Sequence, residues 1–343
     1  MSLAKKLIFS LIPVVLLCIA AEGIARLLIP PLDTQLHREN EQIIKTLGLP
    51  ALNEAMIPDP VLFWSLKPGL KGKLIEGHIA ETAIRFTLST NSRGLRGPEI
   101  PRKKGDFRIL ALGDSTTFGL GVDDDQTWPA ALERALREKT RRPFEVINAG
   151  VPGYTAFQGL CYLRDRGLSL DPDLVLATFG FNDAETWSSR SDFETARLLA
   201  IHRWERPFLH SRVYAGMKVL FRQEDPTPST QEKRPRLSGR EFYSTLSQIR
   251  EECASRGIPL VLVIWPYALQ KNPGAGRLII AQPLIASFGA EHNVPVVNLV
   301  ESFAPIPGDL FLDHLHANPA GCRVAAEALS RACLASMERK GRS

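Results

Sequence analysis

Short apolar runs alternate with amphipathic segments from Phe107 to the end of the chain. Runs such as FRILALGD, FEVINAG, DLVLATFG and PLVLVIWP have the length and flanking residues of buried strands. The segments between them, such as WPAALERALREK and GREFYSTLSQIREECASRG, have apolar residues at helical spacing. Strands and helices that alternate in this way are typical of parallel sheets covered on both faces. The pattern predicts a doubly wound α/β core with helices on both faces.

Two other parts of the chain have a different pattern. Residues 31–105 contain short alternating runs punctuated by proline, glycine and asparagine, which predict a β-rich extension. Residues 184–237 contain aromatic residues and a polar, proline-bearing stretch, but no strand pattern. We predict that they form a helical insertion and a mobile loop, and that this insertion is one wall of the site. The α/β domain is therefore expected to span residues 106–340.

The N-terminal segment, residues 1–30, is the strongest indication of location. An uninterrupted apolar run from Leu7 to Ala21 follows the two lysines of MSLAKK. It reaches the length of a membrane span if it continues to Ile29, with Glu22 and Arg26 paired on one helical face. We interpret it as an uncleaved, single-pass anchor with the rest of the chain outside the cytoplasm. The alternative is a signal peptide cleaved near Ala21, which predicts a secreted protein.

Composition and charge exclude several classes of protein. Among 343 residues, 44% are hydrophobic and 23% are charged, which is ordinary for a globular protein. The net charge of +5 comes from scattered basic residues without aromatic interleaving, so we expect no nucleic-acid binding. The five cysteines have no metal-ligand spacing, and a disulfide between Cys161 and Cys253 remains open. No pattern indicates an oligomeric state.

A serine comes directly after the first strand of the predicted core. In GDSTTFG, Ser115 lies at the carboxyl end of a strand, where parallel α/β sheets bind their ligands. A hydroxyl at this position is a nucleophile if a neighbouring base removes its proton. The alternative is that Asp114 or Ser115 merely caps the following helix. The choice depends on whether a base and an oxyanion site exist elsewhere in the chain.

Candidates for both are present in later segments. Asp313 and His316 lie three residues apart before NPAG, a spacing that allows the carboxylate to hold the imidazole ring. His314 is a rival base, but it is adjacent to Asp313 and is expected to point elsewhere. A tetrahedral oxyanion needs hydrogen-bond donors; Gly153 offers a backbone N–H and Asn182 a carboxamide. The alternatives are a polar turn before a helix, a turn glycine and an Asx-turn residue.

Together these segments resemble the SGNH, or GDSL-type, hydrolases. The motifs GDS, NAGVPG, GFND and Asp-x-x-His are similar to the four blocks of that family and occur in the same order within residues 106–338. The resemblance implies a three-layer α/β fold. It also implies these roles: nucleophile Ser115, base His316, orienting partner Asp313, and oxyanion donors Gly153, Asn182 and the Ser115 N–H. Thr116 stands where leucine is common in the family, a change that we expect to be harmless.

The activity implied by this resemblance is acyl-ester chemistry by a serine esterase that requires no metal or organic cofactor. If the acyl acceptor is a sugar hydroxyl instead of water, the protein is an O-acyltransferase. The N-terminal segment and NSRGLRGPE are similar to a membrane-anchored bacterial branch. A location outside the cytoplasm favours acyl or acetyl esters of cell-surface or exported glycans as substrates. A third interpretation is a non-catalytic protein that binds a glycan or a partner, although all five catalytic positions are filled.

Overall fold

The structure analysed is a computed structural model of the chain. It describes residues 3–29, 49–59, 61–186, 190–198, 208, 211–220, 234–271 and 281–340. Part of the predicted insertion, including Trp187, Trp204 and the stretch 221–233, lies outside the described residues. The first part of the predicted β-rich extension, residues 31–48, lies outside them as well.

The N-terminal apolar segment is a helix, α1 (Leu3–Leu28). Its stretch Leu11–Leu28 has a mean hydropathy of 2.2 and is almost entirely exposed. Within the described part of the chain, it is the one helix long and apolar enough to cross a membrane, and a signal sequence has the same properties. Glu22 and Arg26 form the predicted ion pair, with 3.0 Å between Oε1 and Nε.

Two antiparallel hairpins follow α1 and a short helix, α2 (Pro50–Asn53). The first pairs β1 (Met56–Asp59) with β2 (Phe63–Leu66), and the second pairs β3 (Lys73–Ile79) with β4 (Thr82–Leu88). Their inward-facing residues belong to the same apolar cluster as one face of the central sheet. The hairpins therefore pack directly on the α/β core.

Five parallel strands form the central sheet, and their order is β6-β5-β7-β8-β9. The strands are β5 (Phe107–Gly113), β6 (Phe144–Gly150), β7 (Leu174–Thr178), β8 (Leu260–Ile264) and β9 (Val296–Asn298). Every residue of β7 and β8 is buried, as expected for central strands covered on both faces. The direction of winding reverses between β5 and β7, and α/β sheets of this order bind ligands at such a switch point.

Helices cover both faces of the sheet. The helices after α2 are α3 (Ser115–Phe118), α4 (Trp128–Thr140), α5 (Ala156–Tyr162), α6 (Phe181–Ala184), α7 (Asp192–Leu198), α8 (Arg212–Leu220), α9 (Gly239–Ala254), α10 (Ala281–His292), α11 (Leu299–Phe303) and α12 (Pro319–Lys340). Alternate residues of β5 point to opposite faces, so Leu110 and Leu112 pack with α5, α9 and α10, while Ile109 and Ala111 pack with α4 and α12. The predicted doubly wound α/β fold is confirmed.

The helix after β6 and the cysteines each show a local feature of the core. The α-helix α5 ends at Tyr162, and the chain continues as a wider π turn over Leu163–Gly167. This turn keeps Leu163 and Gly167 buried. All five cysteines are free thiols, so Cys161 and Cys253 are not bridged. Burial raises the pKa of both thiols to about 12, so they are protonated at neutral pH.

The described part of the predicted insertion contacts α1. The carboxylate of Glu22 accepts hydrogen bonds from Ser211 Oγ at 2.8 Å and from the Arg212 N–H at 3.0 Å, and so caps the first turn of α8. In α7, Phe193 packs against Phe157 of α5, with 4.6 Å between the ring centroids and an angle of 56° between the ring planes. The helices of this region are thus fastened both to α1 and to the sheet domain.

Candidate active site

Ser115 lies at the first position of α3, immediately beyond the carboxyl end of β5. Oδ1 of Asp114 accepts hydrogen bonds from the Thr116 N–H at 2.8 Å and from Thr116 Oγ1 at 2.7 Å. Asp114 is therefore the helix cap, and the alternative of Ser115 as the cap is wrong. A side chain at Gly150 would lie 2.2 Å from the Phe118 N atom, so glycine allows α3 to pack directly on β6. These contacts fix the serine while leaving its hydroxyl available.

The structure brings the imidazole of His316 to this hydroxyl. His316 Nε2 lies 2.9 Å from Ser115 Oγ, although the two residues are 201 positions apart in the sequence. On the other side of the ring, Nδ1 lies 2.8 Å from Asp313 Oδ2. A carboxylate at Nδ1 keeps the proton on that nitrogen, which leaves the lone pair of Nε2 directed at the hydroxyl. The three side chains therefore form one continuous hydrogen-bond chain.

Asp313 is held in its charged form. Burial raises the pKa of this carboxyl, but hydrogen bonds and the charge of His316 have the larger combined effect and lower the pKa to about 2. Oδ1 also accepts the backbone N–H groups of Leu315 and His316, at 2.7 and 2.6 Å. The carboxylate thus fixes both the turn that carries the histidine and the orientation of its ring.

The neighbouring chain holds the histidine from two more directions. The indole Nε1 of Trp265, after β8, donates to the Leu315 carbonyl at 3.0 Å. Asn318 caps α12 through its Oδ1, which accepts from the N–H groups of Ala320 and Gly321, and Pro319 occupies the first helical position. His316 is therefore tied to the sheet on one side and to the last helix on the other.

In the described part of the chain, the ring nitrogen that contacts the Ser115 hydroxyl belongs to His316 and not to His314. Its side chain is 56% exposed, and Nδ1 lies 3.9 Å from Asp313 Oδ2, beyond hydrogen-bond distance. The ring faces Phe181 with 5.7 Å between the centroids. This position agrees with the expectation that His314 does not point to the serine.

Both candidate oxyanion donors lie beside the serine segment. Gly153 occupies a turn with φ of +81°, and among the described residues its N–H has no hydrogen-bond partner. Asn182 Nδ2 donates to Asp114 Oδ2 at 3.1 Å and to the Tyr154 carbonyl at 2.9 Å. The carboxamide therefore joins the Gly153 turn to the helix cap. To bind an oxyanion, it must exchange one of these two contacts.

Asp183 stabilises the segments next to the two candidate oxyanion donors. Its two carboxyl oxygens accept the N–H groups of Ala156 at 2.7 Å and Gly180 at 2.8 Å. Burial raises the pKa of this carboxyl to about 7. The side chain thus links the start of α5 to the turn before α6.

A buried ion pair, which no pattern in the sequence predicts, adjoins the Gly153 turn. Arg236 binds both oxygens of Asp192, at 3.0 and 2.9 Å, and donates from Nη1 to the Gly153 carbonyl. Asp192 also accepts from Thr155 Oγ1 at 2.6 Å. The expectation of a mobile loop fails at Arg236, because this side chain is buried and paired. A single arginine in a basic stretch gives no periodic signal, and only its folded partners reveal the role.

The sheet and the serine-histidine-aspartate arrangement define a candidate serine hydrolase. The chain belongs to the GDSL-like Lipase/Acylhydrolase family, whose family model matches residues 111–324. This confirms the resemblance stated from the four motifs and makes the protein a member of a family of esterases and acylhydrolases. The resemblance to a membrane-anchored branch stays a prediction.

Individual relatives match shorter parts of the chain. It is 37% identical over 76 residues to an arylesterase of Vibrio mimicus, covering 22% of this chain and 38% of that protein. Esterase TesA of Pseudomonas aeruginosa is 35% identical over 75 residues, which cover 22% of this chain and 37% of the relative. The chain thus spans less than two fifths of the length of these curated relatives. A solved lipase/acylhydrolase structure from Enterococcus faecalis is 24% identical, with 68% of this chain and 96% of that one covered and a TM-score of 0.44.

Proposed function

We propose that the protein is a serine ester hydrolase in which Ser115 is the nucleophile, His316 the general base and Asp313 its orienting partner. The observation that carries this proposal is the continuous hydrogen-bond chain between the three side chains, 2.9 Å from serine to histidine and 2.8 Å from histidine to aspartate. A structural cap does not require this chain, because Asp114 already caps α3.

The proposed reaction follows from these positions. His316 Nε2 removes the hydroxyl proton as Ser115 Oγ attacks the ester carbonyl, and the imidazolium is stabilised by Asp313. The backbone N–H groups of Ser115 and Gly153, with the carboxamide of Asn182, stabilise the negative oxygen of the tetrahedral intermediate. The imidazolium then protonates the departing alcohol, which leaves an acyl-enzyme. Water, activated by the same histidine, releases the acid and restores the serine.

For the substrate, we propose O-acyl esters with a small acyl group, such as acetyl esters of cell-surface or exported molecules. Ser115 and His316 are only 5% and 4% exposed, so a short acyl group reaches the hydroxyl more easily than a bulky one. The apolar α1 supports a location at the membrane with the α/β domain outside the cytoplasm. The alternative of a secreted protein predicts a mature chain that starts near Ala21.

The test uses purified full-length protein and a panel of p-nitrophenyl esters and acetylated glycans. A fluorophosphonate is expected to label the peptide that contains Ser115, and Ser115→Ala is expected to lose both the label and ester turnover. A folded wild-type protein without label or turnover would contradict the enzyme and favour a binding protein. Turnover that accelerates when a glycan acceptor is added, with acyl transfer to that glycan, would favour an O-acyltransferase over a hydrolase.

A further inference from the structure

The turn that carries Gly153 has a central peptide group that its own hydrogen bond does not fix. The Tyr154 N–H donates to the Val151 carbonyl at 3.1 Å, which closes a four-residue turn. Proline in the second position, with glycine at φ +81° in the third, is the signature of a type II turn. The peptide between Pro152 and Gly153 lies between these closing residues, and neither of its polar groups takes part in the closure.

This peptide group has two accessible orientations. Type I and type II turns share the closing hydrogen bond and differ by a rotation of the central peptide of roughly 150°. Glycine in the third position tolerates both signs of φ, so the chain itself imposes little barrier to this choice. The rotation reverses the direction of the Gly153 N–H. Proline and glycine favour the type II orientation, and a group outside the turn that binds this peptide can fix the N–H in the direction of the proposed oxyanion position.

Trp64, in β2 of the first hairpin, makes that contact. Its indole Nε1 donates to the Pro152 carbonyl at 3.0 Å, and the side chain is buried. The Pro152–Gly153 peptide is trans, so its carbonyl and its N–H point in opposite directions. By holding the carbonyl on one side, the indole holds the Gly153 N–H on the other.

The indole is itself held firmly. The Tyr154 hydroxyl donates to the Trp64 carbonyl at 2.6 Å, and the two rings meet edge to face at 5.9 Å. The guanidinium of Arg236 lies over the Trp64 ring at 5.5 Å while it donates to the Gly153 carbonyl. Trp64 and Arg236 thus bind the carbonyl groups of the two consecutive peptides on either side of Gly153.

We propose that Trp64 is a positioning residue of the reaction: its indole N–H locks the Pro152–Gly153 peptide in the orientation that presents the Gly153 N–H to the oxyanion. This inference rests on the proposed function and assigns to the β-rich extension a part in catalysis. It implies that the hairpin acts on the transition state through the hydrogen bond of the Trp64 indole.

The experiment removes only that hydrogen bond. The first variant replaces Trp64 with benzothienylalanine, in which sulfur replaces the N–H and the ring shape is kept, and the second is Trp64→Phe. The control is Trp128→Phe, because Trp128 is equally buried and its indole N–H has no partner among the described residues. Steady-state hydrolysis of p-nitrophenyl acetate gives kcat and KM. The rate of fluorophosphonate labelling is a second measure of oxyanion stabilisation.

Loss of one oxyanion donor lowers kcat by about a hundredfold to a thousandfold, and a misdirected donor is expected to cost about tenfold to a hundredfold. Both Trp64 variants should show this loss in kcat and in labelling rate, with KM within about twofold of wild type. Trp128→Phe should leave both rates unchanged. If the wild-type protein is active and the benzothienylalanine variant is equally active, the proposed role of Trp64 is overturned and the proposed function is not. Folded wild-type protein without turnover or label would instead overturn the proposed function.

Discussion

Replacing Asp313 with asparagine is expected to remove most ester turnover, because it reverses the tautomer of His316. In the structure Asp313 Oδ1 accepts two backbone N–H groups, and Oδ2 accepts from the imidazole Nδ1 at 2.8 Å. Asparagine is able to keep its oxygen on the backbone groups and then presents an NH₂ to Nδ1. The ring must accept at Nδ1 and carry its proton on Nε2, which faces Ser115 Oγ. A protonated Nε2 is unable to take the proton of the hydroxyl.

The expected loss in kcat is about 10⁴-fold, the size of effect that a wrong imidazole tautomer has in serine hydrolases. The cost in stability is smaller. The pKa of Asp313 is lowered from 3.8 to about 2, which corresponds to about 2 kcal/mol of stabilisation by the charged carboxyl at neutral pH. Because the folded-state pKa is the lower one, this stabilisation is present above about pH 4 and is lost as the pH falls to 2. In Asp313→Asn this part of the acid dependence should be absent.

The assay combines kcat for p-nitrophenyl acetate with urea unfolding at pH 7, 5 and 3. Asp309→Asn is the matched control, because Asp309 is exposed and lies in the same loop. Among the described residues, its side chain accepts one hydrogen bond, from the Phe311 N–H to Oδ1 at 3.2 Å. We expect the control to keep wild-type activity. Retention of more than about a tenth of the wild-type kcat by Asp313→Asn would refute the argument from the tautomer.

Three further predictions follow from the site. Ser115→Ala should change the free energy of unfolding by less than about 0.5 kcal/mol, whereas Asp114→Ala should lower it by about 1 kcal/mol because a helix cap is lost. Equal losses for the two variants in urea titrations would contradict the assignment of Asp114 as the cap. His314→Ala should keep kcat within about threefold of wild type, since its ring is exposed, and a collapse in rate would make it the base. Burial raises the pKa of Asp183 to about 7, so between about pH 4 and 7 the native state retains a proton that the unfolded chain releases. The free energy of unfolding should therefore fall as the pH rises through this range, and Asp183→Asn should flatten the slope. An unchanged pH profile in Asp183→Asn would contradict the raised pKa.

The sheet and the strand-end residues were predictable from sequence because both depend on local patterns. Apolar runs bounded by turn residues gave β5 to β8, and parallel sheets gather their carboxyl ends at one edge. That rule alone draws attention to Ser115, Gly153 and Asn182. The histidine was recognisable from its spacing to the aspartate and from the cap and proline that begin the last helix.

The contacts that hold the site were not predictable in the same way. The hydrogen bond of Trp64 joins residues 88 positions apart, and the ion pair of Arg236 and Asp192 spans 44. Such partners are chosen by the packed fold and leave no periodic trace. Aspartate and serine are both good helix caps, so only the geometry distinguishes Asp114 from Ser115. The π turn after α5 places Gly167 against Leu110 of β5, and the composition of the segment does not indicate it.

The distance along the chain between Ser115 and His316 has a consequence for protein synthesis. In the proposed mechanism, a nascent chain exposes its nucleophile long before its base is made, because 201 residues separate them. The hydroxyl becomes reactive only when the loop before α12 has docked against β8 through Trp265. Unfinished or unfolded chains therefore have no means of attacking esters around them. In a refolding experiment, the return of ester hydrolysis should therefore report when this loop has docked.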